Sequence, residues 1–412
     1  MNMPLDLLRA STALLACAVC ATSAAQEAAS ASDALAATRL LLDTRLRFEG
    51  VDQDGLPNDA EALTWRARLG FETGKLWNTS LLAEGDFIWP LTTDYNSTTN
   101  GRTAYPVVAD PETYEVNRLQ LTNTSIPMTV VTVGRQRITL DDHRFVGDVG
   151  WRQNDQTFDS LRVVNTSLPN TTFDVSYVSQ VNRVFGKDSL QGRYEGDSVL
   201  ANVSYRFPAG KLTGFGYWLD FEPIAGVPAA AQDSSQTFGL RFQGEQPLGA
   251  VKIGYAASYA TQSEHADNPL TFDLDYYLAE ATLSFQAYSI GAGYEVLEGD
   301  GRKGFTTPLA TLHKFQGWAD KFLATPPNGV EDRYVNAGVT FKGVGPIEVL
   351  SALASYHVYE AERTSIDYGS EVNAQLQAKW KRFTGIVKYA DYDADDLFTD
   401  TTKFWVQLQY VW

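Results

Sequence analysis

The last residues of the chain, Phe404-Trp405-Val406-Gln407-Leu408-Gln409-Tyr410-Val411-Trp412, decide the fold. Phe404, Val406, Leu408, Tyr410 and Trp412 share one face of an extended strand, while Gln407 and Gln409 lie on the other. That pattern suits a strand with lipid on one side and water on the other. The same alternation recurs upstream in some eighteen segments, joined in turn by a long polar loop and a tight turn. A sheet that meets lipid over a whole chain must close on itself, because an open edge would leave backbone groups unsatisfied in hydrocarbon. The chain therefore reads as all-β: a transmembrane antiparallel up-and-down β-barrel of about eighteen strands. The count falls to about sixteen if the weakly alternating segments around Val131 and Arg162 are not strands.

Working back to the start, Arg9, the apolar stretch Leu14 to Ala21 and the small residues Ser23 and Ala25 read as a secretory signal, residues 1–25. The rival reading is a lipoprotein leader acylated at Cys17. Residues 26–412 then form one barrel domain with long external loops. Both cysteines, Cys17 and Cys20, fall in the leader, so disulfides and thiolate metal sites are not expected in the mature chain. No other apolar run reaches the length of a membrane-spanning helix. The expected location is the outer membrane of a Gram-negative bacterium, with outer-membrane lipids and lipopolysaccharide around a monomer.

Strand phase assigns the lumen. Leu40, Leu42, Leu46 and Phe48 alternate with Arg39, Arg45, Arg47 and Glu49; Leu63, Trp65, Ala67, Leu69 and Phe71 alternate with Thr64, Arg66, Arg68 and Glu72. Arg facing hydrocarbon near the midplane costs about 2 to 4 kcal/mol, so the Arg face is the lumen, which should be polar and charged. Tight turns, among them Thr73 to Lys75, Pro208 to Lys211, Gln286 to Ala287 and Lys381 to Arg382, follow even segments. Longer connections, including Pro90 to Thr113, Ile138 to Asp155 and Gly299 to Asp332, follow odd ones. Short periplasmic turns and long external loops, with both termini in the periplasm, produce this order. Aromatic residues make up 12% of the chain, and Trp65, Trp77, Trp89, Trp218, Trp380 and Trp412 fall near segment ends, as interfacial girdles require.

The net charge of −17 argues against a nucleic-acid partner. Its distribution is uneven, for of twenty arginines after the leader fifteen lie between Arg39 and Arg206. Arg45, Arg47, Arg66 and Arg68, with Arg118, Arg162 and Arg206, fall on the inward phase of their strands, whereas the phase of Arg135 and Arg137 is ambiguous. Guanidinium stays charged at every relevant pH and grips carboxylates in a bidentate way, so a ladder of it suits stepwise movement of an anionic solute. Asp43, Glu49, Glu72, Glu84, Asp86, Asp174 and Glu280 share that phase, and pairing with them would make the arginines structural instead.

The stretch Gly134-Arg135-Gln136-Arg137, Asp141-Asp142-His143-Arg144-Phe145, Gly147, Trp151-Arg152-Gln153 and Phe158-Asp159 is dense in recognition groups. Over these roughly twenty-five residues, and in its barrel rhythm, the chain resembles the alginate export family of outer-membrane barrels. The resemblance implies a porin-like channel with a loop folded into the lumen and an arginine-rich constriction that passes a polyuronate. Arg135, Arg137, Arg144 and Arg152 become candidate constriction groups, with Asp141 and Asp142 orienting them.

Two readings follow. The first is a passive channel for an anionic polysaccharide or oligosaccharide, without a cofactor, served by periplasmic export or uptake partners. The second is a plugged barrel that binds or adheres through its long loops, Gly299 to Asp332 and Pro90 to Thr113. An enzyme is not expected, because His143, His265, His313 and His357 lie in or beside loops outside any nucleophile motif, where a lone His is solvated. Asp391, Asp393, Asp395, Asp396 and Asp400 lack the glycine and glutamate of a calcium loop, and no metal site is assigned.

Overall fold

In a computed structural model the chain is described for residues 30–227 and 229–412. The expected signal segment lies outside these residues. The first half of the wall is built from β1 (Arg39–Gln53), β2 (Ala60–Glu72), β3 (Thr79–Pro90), β4 (Thr113–Asn123), β5 (Thr129–Gln136), β6 (Thr157–Asn165), β7 (Thr171–Asn182), β8 (Arg193–Phe207) and β9 (Gly210–Leu219). The second half runs through β10 (Ser235–Leu248), β11 (Val251–Glu264), β12 (Asp273–Phe285), β13 (Tyr288–Leu297), β14 (Val330–Val344), β15 (Ile347–Glu360), β16 (Asp367–Trp380), β17 (Phe383–Asp393) and β18 (Thr401–Val411). Each strand pairs antiparallel with its neighbours, and β18 returns to β1, closing an eighteen-stranded barrel. The segments around Val131 and Arg162 are both strands, β5 and β6.

The closing seam displays the period-two logic. Phe48 sits opposite Val406 and Leu46 opposite Leu408 on the outer face, while Arg47 faces Gln407 and Arg45 faces Gln409 inside. Leu408 is 52% exposed toward the membrane, whereas Gln407 is buried. Trp65 and Trp89 meet at 5.1 Å near the external rim, and Trp412 carries the Arg382 guanidinium 4.4 Å above its ring at the periplasmic one. The chain is thus an outer-membrane β-barrel, anchored by aromatic residues at both ends. At the periplasmic end the short helix α1 (Ala31–Ala36) is capped by Ser30, whose side chain accepts from the Asp33 N–H, and Ala34 accepts from Gly74 N at 2.9 Å.

The lumen departs from the polar reading on one side. Inward residues of β9 and β12, including Phe215, Tyr217, Leu219 and Tyr276, are apolar or aromatic and buried. They are covered by two loops that fold inward, residues 137–156 and residues 298–329. Phe145 of the first lies 4.9 Å from Phe215 and 5.3 Å from Tyr276, and Phe305 of the second packs on both Phe145 and Tyr276. Phe305 is fully buried, and removing such a side chain from water contributes about 1.5 to 3 kcal/mol. The two loops are laced together by backbone: Gly147 N donates to Leu309 O at 2.8 Å and Thr311 N to His143 O at 3.0 Å. A second hydrophobic core thus lies inside the barrel.

Candidate functional site

The loops meet the wall along β1, β2, β3, β17 and β18, where the sequence places its charges on the inward phase. Arg45 is buried and spends its guanidinium on the loop backbone, donating to the carbonyls of Gly150, Trp151 and Arg152 at 3.1 Å each. Arg47 donates to Gln407 Oε1 at 2.6 and 3.1 Å and lies 4.1 Å above the Trp151 ring, with Asp110 at 3.7 Å. Arg66 has no exposed surface and stands 2.6 Å from Asp43. Arg68 forks onto Asp86 at 2.5 and 2.7 Å and reaches Asp155 at 3.1 Å. Arg118 forks onto Glu84 at 2.8 and 2.7 Å, and Arg137 joins both Glu84 and Asp155, at 3.1 and 2.6 Å. Arg162 pairs with Asp174 across β6 and β7 at 2.5 Å. The inward ladder exists, and it is largely neutralised by carboxylates beside it.

The motif residues separate. Arg152 bridges Glu49 of β1 at 3.1 Å and Asp320 of the second loop at 2.9 Å. Arg144 crosses to Glu295 of β13 at 2.8 Å and lies 4.7 Å from the Phe315 ring. Arg135 points the other way. It pairs across the β4–β5 register with Leu119, a lipid-facing residue, and forks onto Asp159 at 2.7 and 2.9 Å on the outer surface. Its place in the constriction set is therefore corrected. Asp141 and Asp142 do not orient these arginines through their carboxylates as ion-pair partners either. Because the loop crosses the lumen, Asp141 accepts from Lys211 Nζ at 2.6 Å and Asp142 pairs with Arg241 at 3.0 Å, both on the opposite wall. Arg206 is exposed at the periplasmic end of β8.

Side chains that strand phase and the motif left unremarked complete the site. His313 and His357 are buried, contrary to the expectation of solvated histidines. His357 donates from Nδ1 to the Asp332 carboxylate at 3.0 Å. His313 stacks on Trp151 at 4.6 Å and 6°, and its Nδ1 lies 2.7 Å from Asp320. Lys388 of β17 donates to His313 Nε2 at 2.7 Å, which fixes a neutral ring with its proton on Nδ1, aimed at Asp320. Burial holds the His313 imidazole down to about 3, outweighing the pull of Asp320. Asp320 also receives Lys403 of β18 at 3.0 Å. Glu371 of β16 accepts from the backbone N–H of Trp318 and, at 3.0 Å, of Ala319. Lys388 was legible as a charge on the inward phase; Asp320 lies in a loop without period and left no signal.

Residues 312–320 divide two chambers. The outer one, about 520 Å³, has Tyr105, Phe185, Leu312 and Phe398 in its wall together with Arg152, Arg183, Lys321 and Lys403. The inner one, about 390 Å³, presents Asp142, Glu280, Glu295 and Asp332 beside Lys314 and His357. The sign of the lining charge reverses across the partition. Among the described residues no group of three or more His, Cys, Asp or Glu side chains is arranged to hold a metal ion.

No family model and no curated protein matches the chain. Solved structures do. The crystal structure of Acinetobacter baumannii OccAB2 is 16% identical over 92% of this chain and 99% of that one, with a TM-score of 0.71. Pseudomonas aeruginosa OpdO is 15% identical over 92% and 98%, at 0.68, and P. aeruginosa OpdK with vanillate is 14% identical over 90% and 99%, at 0.65. The resemblance to the alginate export family finds no support in these comparisons and rests on its short motif stretch. What the likeness establishes is the fold, an outer-membrane barrel matched along nearly its whole wall.

Proposed function

We propose that the barrel is a porin-like passive channel for small anionic solutes, entered through the outer chamber and metered by the two inward loops. One observation carries this reading: four cations, Arg152, Arg183, Lys321 and Lys403, against the single carboxylate Asp320, converge on a chamber whose wall also carries Tyr105, Phe185, Leu312 and Phe398. Cations set in an apolar surround attract an anion while the apolar wall receives its body. A carboxylate on a sugar or an aromatic ring has that form. OpdK was crystallised with vanillate, a carboxylate on an aromatic ring, and we extend that solute type to this chain. The polyuronate reading narrows accordingly, since a chamber of about 520 Å³ suits an acid of one or two rings rather than an extended polymer. Lipid, including lipopolysaccharide, would surround a monomer.

The test is swelling of proteoliposomes holding the full mature protein. Entry of aromatic and sugar monocarboxylates at several times the rate of neutral analogues of equal size supports the reading; equal rates overturn the anion preference. A plugged barrel that binds through its loops is favoured by the apolar core the loops build inside the lumen. It predicts no swelling with any solute.

A further inference from the structure

We infer that Arg45 and Arg47 are positioning residues, which hold the tip of the 137–156 loop against the wall and thereby set the bore, and are not rungs on which the solute moves. The inference rests on the channel reading and divides the arginines within it.

Three consecutive carbonyls, Gly150, Trp151 and Arg152, converge on one guanidinium. Backbone acceptors at a loop tip inside a barrel have no strand partner, and leaving them unsatisfied is costly. Only a planar fork with donors on two terminal nitrogens spans three successive carbonyls; an ammonium is a point donor. Arg47 holds the same tip by its ring. Gln407 fixes the guanidinium from β18, and the guanidinium lies on Trp151, which in turn stacks on His313 of the second loop. A continuous stack therefore runs from the wall through one loop into the other.

Neither Arg45 nor Arg47 lines the outer or the inner chamber, whereas Arg152 lines the outer one. Both are almost wholly buried, at 7% and 1% exposure. An anion reaching Arg45 would have to displace the three carbonyls that occupy it. Solute contact falls to Arg152, and Arg45 and Arg47 decide where Arg152 stands.

The charge-conserving substitution separates the two roles. Arg45→Lys keeps a cation and loses the fork, so the clamp predicts that Arg45→Lys and Arg45→Gln both raise unit conductance by about twofold or more, with noisier open levels. The reversal potential in a salt gradient should stay as in the unsubstituted protein for Arg45→Lys. A rung of an anion ladder gives the reverse, with Arg45→Lys like the unsubstituted channel and Arg45→Gln shifted in reversal potential; that result overturns the inference. Trp151→Ala acts from the loop side without touching the wall and should reproduce the conductance gain.

A second readout does not need conduction. Thr64 lies beneath the loop, 1% exposed, and accepts from Gln153 at 2.9 Å. With the leader removed no native cysteine remains, so a maleimide reports on Thr64→Cys alone. The thiol should be protected in the otherwise unsubstituted, folded barrel and react at least tenfold faster when Arg45→Lys is added. Equal rates overturn the clamp even in a barrel that proves silent, an outcome that would separately defeat the channel reading.

Discussion

Arg152 and Asp320 belong to two different external loops, 168 residues apart in sequence, yet join at 2.9 Å inside the barrel. Around that pair stand Glu49 on one strand, Lys403 on another and His313 beside them. The crossing of the two loops is thus tied to the wall by charge.

Asp320→Asn should loosen that crossing. It removes the carboxylate that Arg152 and Lys403 share, and breaking a buried ion pair costs about 3 to 5 kcal/mol of the docked arrangement. Unit conductance should rise and anion preference strengthen in bilayer recording. A channel of unchanged conductance and selectivity would contradict the tie.

Gly317 has φ +78°, and a Cβ there would enter the Glu371 carboxylate that receives the Trp318 and Ala319 N–H groups. Gly317→Ala should therefore weaken docking of the 298–329 loop by about 1 to 3 kcal/mol through backbone strain. Limited proteolysis of intact barrels in detergent should cut this loop faster, with the barrel core surviving; an unaltered cleavage rate would argue against the contact.

The pH profile should follow His313. Its pKa in the docked loop is lowered to about 3, mainly by burial, and is about 6.5 in a released loop. The released state then binds the extra proton, so the His313 contribution to docking is constant above pH ~6.5 and weakens as pH falls, by at most about 1.4 kcal/mol per unit. The part of the conductance that depends on His313 should be flat above pH ~6.5 and rise below it. His313→Phe keeps a ring against Trp151 and should flatten the profile; a profile identical in both proteins would assign the dependence elsewhere.

Val406 and Gln407 lie on opposite faces of β18. Val406→Arg should lower barrel stability by about 2 to 4 kcal/mol in urea-dependent refolding into vesicles, because its charge meets hydrocarbon. Gln407→Arg should cost less than that in the same assay, although it crowds Arg47. Equal losses would show that phase does not separate lipid from lumen.

The wall was readable because its physics is local. Period two, the charge penalty in lipid and the alternation of short and long connections each leave marks in neighbouring residues, and all eighteen strands followed from them. Phase failed at Arg135, where Val130-Val131 and Val163-Val164 blur the alternation of β5 and β6, so only the observed register puts this side chain outside. The loops were legible as long and polar; that one folds into the lumen was only what the family resemblance implied, and the residues that fill it were not legible. Phe145 and Phe305 have no period to announce them, and the inward aromatic residues of β9 and β12 read as ordinary strand composition until those loops cover them. The arginine cluster was visible, whereas its neutralisation depends on cross-strand partners such as Asp86 opposite Arg68.

The central claim, a loop-metered channel preferring small anions, is tested most directly by single-channel recording of the refolded mature protein under a salt gradient, with an aromatic monocarboxylate added on one side. We expect discrete conductance, a reversal potential displaced toward that of the anion, and block that deepens with carboxylate concentration. A silent membrane, or a reversal potential displaced toward the cation with no block, would contradict it.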